Sequence, residues 1–147
     1  MFLKVQRPLW LFITLVLLTT TISACSAGQP STNLPMASLG PMPGEVQSAP
    51  VTVQQAYQFA VANPVVMKNI PCYCGCGNVG HTSNYDCYVS SVDDQGKVTF
   101  DQHALGCSIC VDITQDVMRL LKEGKSPQEA RAYIDATYSK YGPSNIP

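Results

Sequence analysis

Three cysteines stand in one run, Pro71-Cys72-Tyr73-Cys74-Gly75-Cys76, and three more follow at Cys87, Cys107 and Cys110. The chain has seven cysteines and two histidines in all. Six of the cysteines and both histidines, His81 and His103, fall between positions 72 and 110. Thiolate and imidazole are the soft and borderline donors that select copper(I), zinc or iron–sulfur clusters. Thiols also exchange electrons as disulfides, or staple a small fold. The cluster therefore holds metal, moves electrons, or braces the chain.

Spacing bears on that choice. Alternate side chains of an extended backbone point to one side, so the thiols of Cys72, Cys74 and Cys76 can converge on one face. A disulfide between nearest neighbours in such a run is strained. Copper(I) tolerates two or three thiolates, and Gly75 and Gly77 remove side chains that would crowd the opposite turn. Cys107-Ser108-Ile109-Cys110 opens a helical pattern, where backbone N–H groups and the helix dipole stabilise a thiolate. It can be half of a metal site or a dithiol redox pair. His103 lies four residues upstream, giving His-x-x-x-Cys-x-x-Cys, a metal-ligand spacing. His81 and Cys87 can complete the set. The competing reading is a disulfide framework, since six thiols make three bridges in fifteen possible pairings. Asp86 and Asp101 can orient an imidazole, although a solvated loop position is the simpler reading of both. Tyr73 and Tyr88 read as shielding or packing residues, and Met67 as core.

The N-terminus reads as an address. Lys4 and Arg7 precede an apolar run, Leu9–Leu18, broken only by Thr14 and too short for a comfortable permanent span. Ile22-Ser23-Ala24-Cys25 resembles a bacterial lipobox. That resemblance implies a signal peptide over residues 1–24, cleavage before Cys25, lipidation of Cys25, and an anchor on the extracytoplasmic face of a cell membrane. Acyl chains in pairs anchor stably where one does not. An ordinary signal peptide with Cys25 left free is the alternative. Outside the cytoplasm disulfides persist, which keeps the framework reading open.

Removing Lys4 and Arg7 from the nine basic residues leaves seven against ten acidic ones. No basic run exists to track phosphates, so nucleic acid is not an expected partner. No phosphate-cradling glycine loop or nucleophile elbow is present. Residues 25–50, rich in Pro, Gly and small polar side chains, read as a disordered tether, with Met36 and Met42 incidental. Residues 51–147 then form one domain of about a hundred residues, near the size at which staples help.

The elements that position the cluster are mostly helical. Thr52 and Gln55 suggest a capping box for a helix whose inward face carries Val53, Ala56, Tyr57, Ala60 and Val61. Asn63-Pro64 ends it and starts a short turn that Pro71 stops. Cys87–Val92 and Lys97–Phe100 have strand character around Asp93-Asp94-Gln95-Gly96, a possible hairpin. A long helix is expected from about Ser108 to Glu123, with Ile109, Ile113, Val117, Leu120 and Leu121 inward and Gly124 ending it. Ser126-Pro127-Gln128-Glu129 starts a last helix to about Tyr141, with Ala130, Tyr133, Ile134, Thr137 and Tyr141 inward. The fold class is mainly α: a small helical domain with a cysteine-rich loop, a possible short β-hairpin, and a C-terminal antiparallel helix pair.

Pro-Cys-Tyr-Cys-Gly-Cys-Gly, then Gly80-His81, Asp86-Cys87, His103 and Cys107-x-x-Cys110, resembles the bacterial PCYCGC-motif lipoproteins, a family without an assigned function. The likeness groups these residues into one site. More weakly, Cys107 to Gly142 is similar to the thiol-reductase subunits of cytochrome c maturation, which use C-x-x-C before a helical hairpin. This chain departs from them in its Cys72–Cys76 run.

The expectation is a lipid-anchored extracytoplasmic metal-binding protein. Its ligands would be Cys72, Cys74, Cys76, His81, Cys87, His103, Cys107 and Cys110. Copper(I) is the favoured ion and zinc the competitor, held for sequestration or for transfer to a metal-acceptor or redox partner protein. The alternatives are a thiol–disulfide oxidoreductase working through Cys107 and Cys110, and a disulfide-stapled binding module.

Overall fold

Helix α1 spans Gly44–Gln47, α2 Val51–Ala62, α3 Pro64–Met67, α4 Ser108–Lys122 and α5 Pro127–Tyr138; strands β1 (Val89–Val92) and β2 (Val98–Phe100) form an antiparallel hairpin. This computed structural model describes residues 33–146. The signal segment and Cys25 lie outside the described residues. Among the described residues, no helix is long and apolar enough to cross a membrane.

The mainly helical expectation holds, and its caps explain why. Ser126 accepts from the Glu129 N–H while the Glu129 carboxylate accepts from the Ser126 N–H, with Pro127 in the first turn of α5. Gly124 adopts φ +82 at the end of α4, the left-handed conformation a Cβ disfavours. α4 packs against both α5 and α2. Its buried face is Cys110, Ile113, Thr114, Val117, Met118 and Leu120, with Val111 beside it. Ile109 and Leu121, expected inward, are half-buried against the same core.

Three local expectations shift. α2 begins at Val51 behind Pro50 without a side-chain cap, so the Thr52–Gln55 capping box does not form. Gln54 instead donates to the Gln47 and Ala49 carbonyls. In α5 it is Tyr138 that turns inward and donates to Asp116 at 2.9 Å, while Tyr133 and Tyr141 are exposed. The helix tightens to 3₁₀ over Ser139–Tyr141 and changes phase there. β1 starts at Val89, because Tyr85–Cys87 forms a 3₁₀ turn that buries Cys87. The hairpin pairs Val89 with Phe100 and Val92 with Val98, with a bulge between Val89 and Ser91.

The segment that composition assigns to a tether is, from Leu34 onward, part of the domain. Met42 and Val46 are buried, and Leu34, Ala37 and Leu39 pack against the core. Side-chain amides satisfy its proline-broken backbone. Gln58 donates to the Ala37 carbonyl at 2.8 Å and Asn63 to that of Pro35 at 2.9 Å. Mean composition hid this, because five apolar side chains spread over thirteen residues suffice once a surface exists to receive them.

Met42→Ala should therefore cost about 2–4 kcal/mol of unfolding free energy, the usual range for truncating a buried Met. Urea unfolding measures it. A change below about 0.5 kcal/mol, typical of a free surface position, would return this segment to the tether.

Candidate metal centre

The cysteine run is held by the C-terminal end of the chain. The Cys72 N–H donates to the Asn145 side-chain oxygen at 2.6 Å, and the Asn145 N–H donates to the Cys72 carbonyl at 3.2 Å. The Asn145 amide also donates towards Cys76 Sγ at 3.4 Å and to the His81 carbonyl at 3.2 Å. The C-terminal strip thus lies along the run. It lies so close at Gly142 that a Cβ there would sit 2.9 Å from the Tyr73 carbonyl oxygen. Tyr73 itself is buried and donates to Asp135 of α5 at 2.7 Å.

Gly75, at φ +85, turns the run. The three thiols do converge, but not as one row on an extended strand. Cys72 and Cys74 sulfurs are 3.3 Å apart. Beyond the left-handed turn Cys76 faces Cys87, sulfur to sulfur 3.7 Å. Across the loop, Cys110 Sγ lies 3.5 Å from Cys72 and 3.6 Å from Cys74. His103 Nε2 is 3.5 Å from Cys74 Sγ, and His81 Nδ1 is 3.5 Å from Cys87 Sγ. The ligand atoms of Cys74, His103, Cys107 and Cys110 all lie within 4.8 Å of one another, as do those of Cys72, Cys76 and Cys87. Either group can hold a metal ion. All eight residues singled out in the sequence meet here, and the six cysteines are free thiols.

Asp101 reaches both histidines in different ways. Its Oδ2 is 3.5 Å from His81 Nε2, and its Oδ1 accepts from the His103 backbone N–H at 2.7 Å. The two rings stand edge to face, 5.2 Å apart. Asp101 is thus an orienting carboxylate, not a solvated loop residue. Asp86 is different: its carboxylate caps the turn by accepting from Thr82 and Ser83 N–H groups.

Beneath the thiols lies a buried polar network. Tyr88 donates to the Cys110 carbonyl at 2.8 Å and shares a 2.7 Å hydrogen bond with Thr114, which donates to Asn84 at 3.0 Å. Asn84 and Thr114 are fully buried. Their side chains pin the first turn of α4 against the cysteine loop. Sequence reasoning missed Asn84, Thr114 and Asn145. Thr114 carried a faint signal, a polar residue four positions after Cys110 on an otherwise apolar face. Asn145 carried none.

Crowding sets the protonation of the sulfurs. S–H donors from Cys110, Cys76 and Cys87 hold Cys72 far below the usual thiol range. Donation to Cys72 and burial push Cys110 up, and Cys76 is pushed up to about 11, first by its hydrogen bond to Cys72. Cys87 is raised, first by the hydrogen bond to Cys110, and Cys74 chiefly by burial. Thiols packed this closely oppose one another's ionisation, and a soft cation would replace their protons and let the sulfurs ionise.

Fold and site define a small helical domain built around a thiol–imidazole cluster able to hold metal. A family model described as protein of unknown function with PCYCGC motif matches residues 14–147, and the chain belongs to that family. No curated protein and no solved structure matches it.

Asn145→Ala should weaken metal binding by about 10–100-fold, as loss of an outer-shell partner does, while the far-ultraviolet circular dichroism stays unchanged. Competition against a chromophoric chelator measures the affinity. Unchanged affinity would reduce Asn145 to a fastener of the C-terminus.

Proposed function

We propose that this chain is an extracytoplasmic lipoprotein that binds copper(I) through its clustered cysteines and histidines, and sequesters the ion or passes it to an acceptor protein. The observation that carries the reading is the convergence of six free thiols and two imidazoles: five of the sulfurs lie 3.3–3.7 Å from a neighbour, and Cys107 lies within 4.8 Å of the others in its group. Sulfurs bound to one tetrahedral ion at about 2.3 Å lie roughly 3.8 Å apart, so little movement is needed to close on a cation. The thiol-rich donor set favours copper(I), and zinc in a closed Cys/His site is the competing occupant.

Cys107 and Cys110 remain available as a redox pair in the second reading, since Cys107 is half-buried at the start of α4. Against it, Cys110 is fully buried and its sulfur is engaged by Cys72 and Cys74. The anchoring part of the proposal rests on the lipobox-like Ile22–Cys25 and on the signal-like segment before it.

Cys72→Ser and Cys110→Ser, 38 positions apart in sequence, should each lower copper(I) affinity at least tenfold in a competition assay under reducing, anaerobic conditions. Wild-type protein that binds no copper or zinc, together with disulfide reduction abolished only by changes at Cys107 or Cys110, would replace the proposal with the oxidoreductase. Cys25→Ala should move the protein from the membrane fraction to the soluble extracytoplasmic fraction and abolish incorporation of labelled fatty acid. Unchanged partition and labelling would overturn the anchor.

A further inference from the structure

Eight soft donors exceed what one ion takes, since zinc closes its shell with four and copper(I) with two or three. Their arrangement is divided. Cys72, Cys76 and Cys87 form one mutually close group, and Cys74, His103, Cys107 and Cys110 the other. His81 belongs with the first, its Nδ1 being 3.5 Å from Cys87 Sγ. Its Nε2 faces the Asp101 carboxylate. That is the posture of a metal-binding imidazole, one nitrogen towards the ion and the other donating to a carboxylate. Each group then offers three thiols and one imidazole.

We infer that the cluster is a two-ion centre with an inner, retained site and an outer, exchangeable one, resting on the metal-binding reading above. Both sites take a soft d¹⁰ cation, copper(I) or zinc. The division of labour follows from burial. Cys72, Cys76 and Cys87 expose 1%, 2% and 0% of their surfaces, so the inner ion is approached only past His81, whose side chain is 12% exposed. In the outer group Cys74, His103 and Cys107 are only half-buried. A groove lined by Pro50, Thr52, Leu105, Ser108 and Asp112 opens onto Cys107. A chelator or acceptor thiol can therefore reach the outer ion without unfolding the loop. Cys72 stands at the boundary, 3.3 Å from Cys74 and 3.5 Å from Cys110. Its sulfur can bridge the two ions, as thiolates do in multi-ion copper and zinc clusters.

The inner site also explains a feature the outer one does not. The loop from Cys72 to Cys87 holds only 3₁₀ turns, and it is tied to the domain by side chains: the Asn145 contacts, Tyr73 to Asp135, Asn84 to Thr114, His81 to Asp101, and the sulfur cluster. An ion bound there would brace this loop, whereas an ion on the α4 side would not need to stay for the fold to hold.

The test is native mass spectrometry of the full-length mature protein, reduced, stripped of metal and titrated anaerobically with copper(I), then separately with zinc. Two ions per chain are expected. A competing chelator should remove one at least tenfold faster than the other. Cys107→Ser should bind one ion, and that ion should be the slow one; Cys74→Ser, at the other edge of the outer group, provides a second variant should the first misfold. A single ion in the wild type, three or more ions, or loss of both ions from a folded Cys107→Ser would overturn the two-site inference. A single ion would leave the metal-binding reading intact, whereas no ion of either metal would overturn both.

Discussion

The contact between Cys72 and Cys110, sulfurs 3.5 Å apart and 38 residues distant in sequence, is the one on which the rest of this structure depends. It joins the glycine-rich loop to the first turn of α4. Every other element has a place relative to that join. The hairpin brings Asp101 back beside His81. The Tyr88–Thr114–Asn84 network fixes the depth of the α4 terminus. The C-terminal strip closes over the run through Asn145. Burying so many thiols together imposes a constraint of its own: they cannot all ionise without a cation among them. A bound cation would displace the thiol protons and take their place.

This arrangement suits a domain of modest size. The apolar core is built mainly by α2, α4 and α5, with Tyr57, Phe59, Met67, Ile113, Val117 and Ile134 fully buried. The cysteine loop sits at the edge of that core and contributes few apolar side chains besides Tyr73, Tyr85 and Tyr88. It is the region that needs a brace. Small domains commonly obtain one from disulfides or from a bound metal. The thiols, the two imidazoles and the Asp101 carboxylate beside His81 give the loop a donor set that could hold a metal ion.

The helical frame was legible because its signals are local. Ser126 and Glu129 cap α5 through side chains three residues apart, and Gly124 ends α4 through its own dihedral angle. The membership of the site was legible for a different reason. Cysteine and histidine are rare, and placing all eight within 39 positions leaves little else for them to do. What the sequence concealed depends on distance along the chain. Asn145 reaches Cys72 across 73 positions, and nothing near residue 145 announces it. The left-handed turn at Gly75, which sends Cys76 to a different group from Cys74, is one of several conformations a glycine allows. The packing of Met42 and Val46 was masked by the prolines around them, because composition averages over a segment whose few apolar residues all find the core.

The central claim is that these sulfurs converge to bind a soft metal rather than to form disulfides. The most direct measurement is elemental analysis of the protein purified from its native host without chelator, beside thiol counts taken before and after the ion is stripped. The account predicts bound copper or zinc, few reactive thiols in the native protein, and six reactive thiols in the domain once the metal is gone. No metal, and no thiols even after denaturation, would contradict it and make the cluster a disulfide framework.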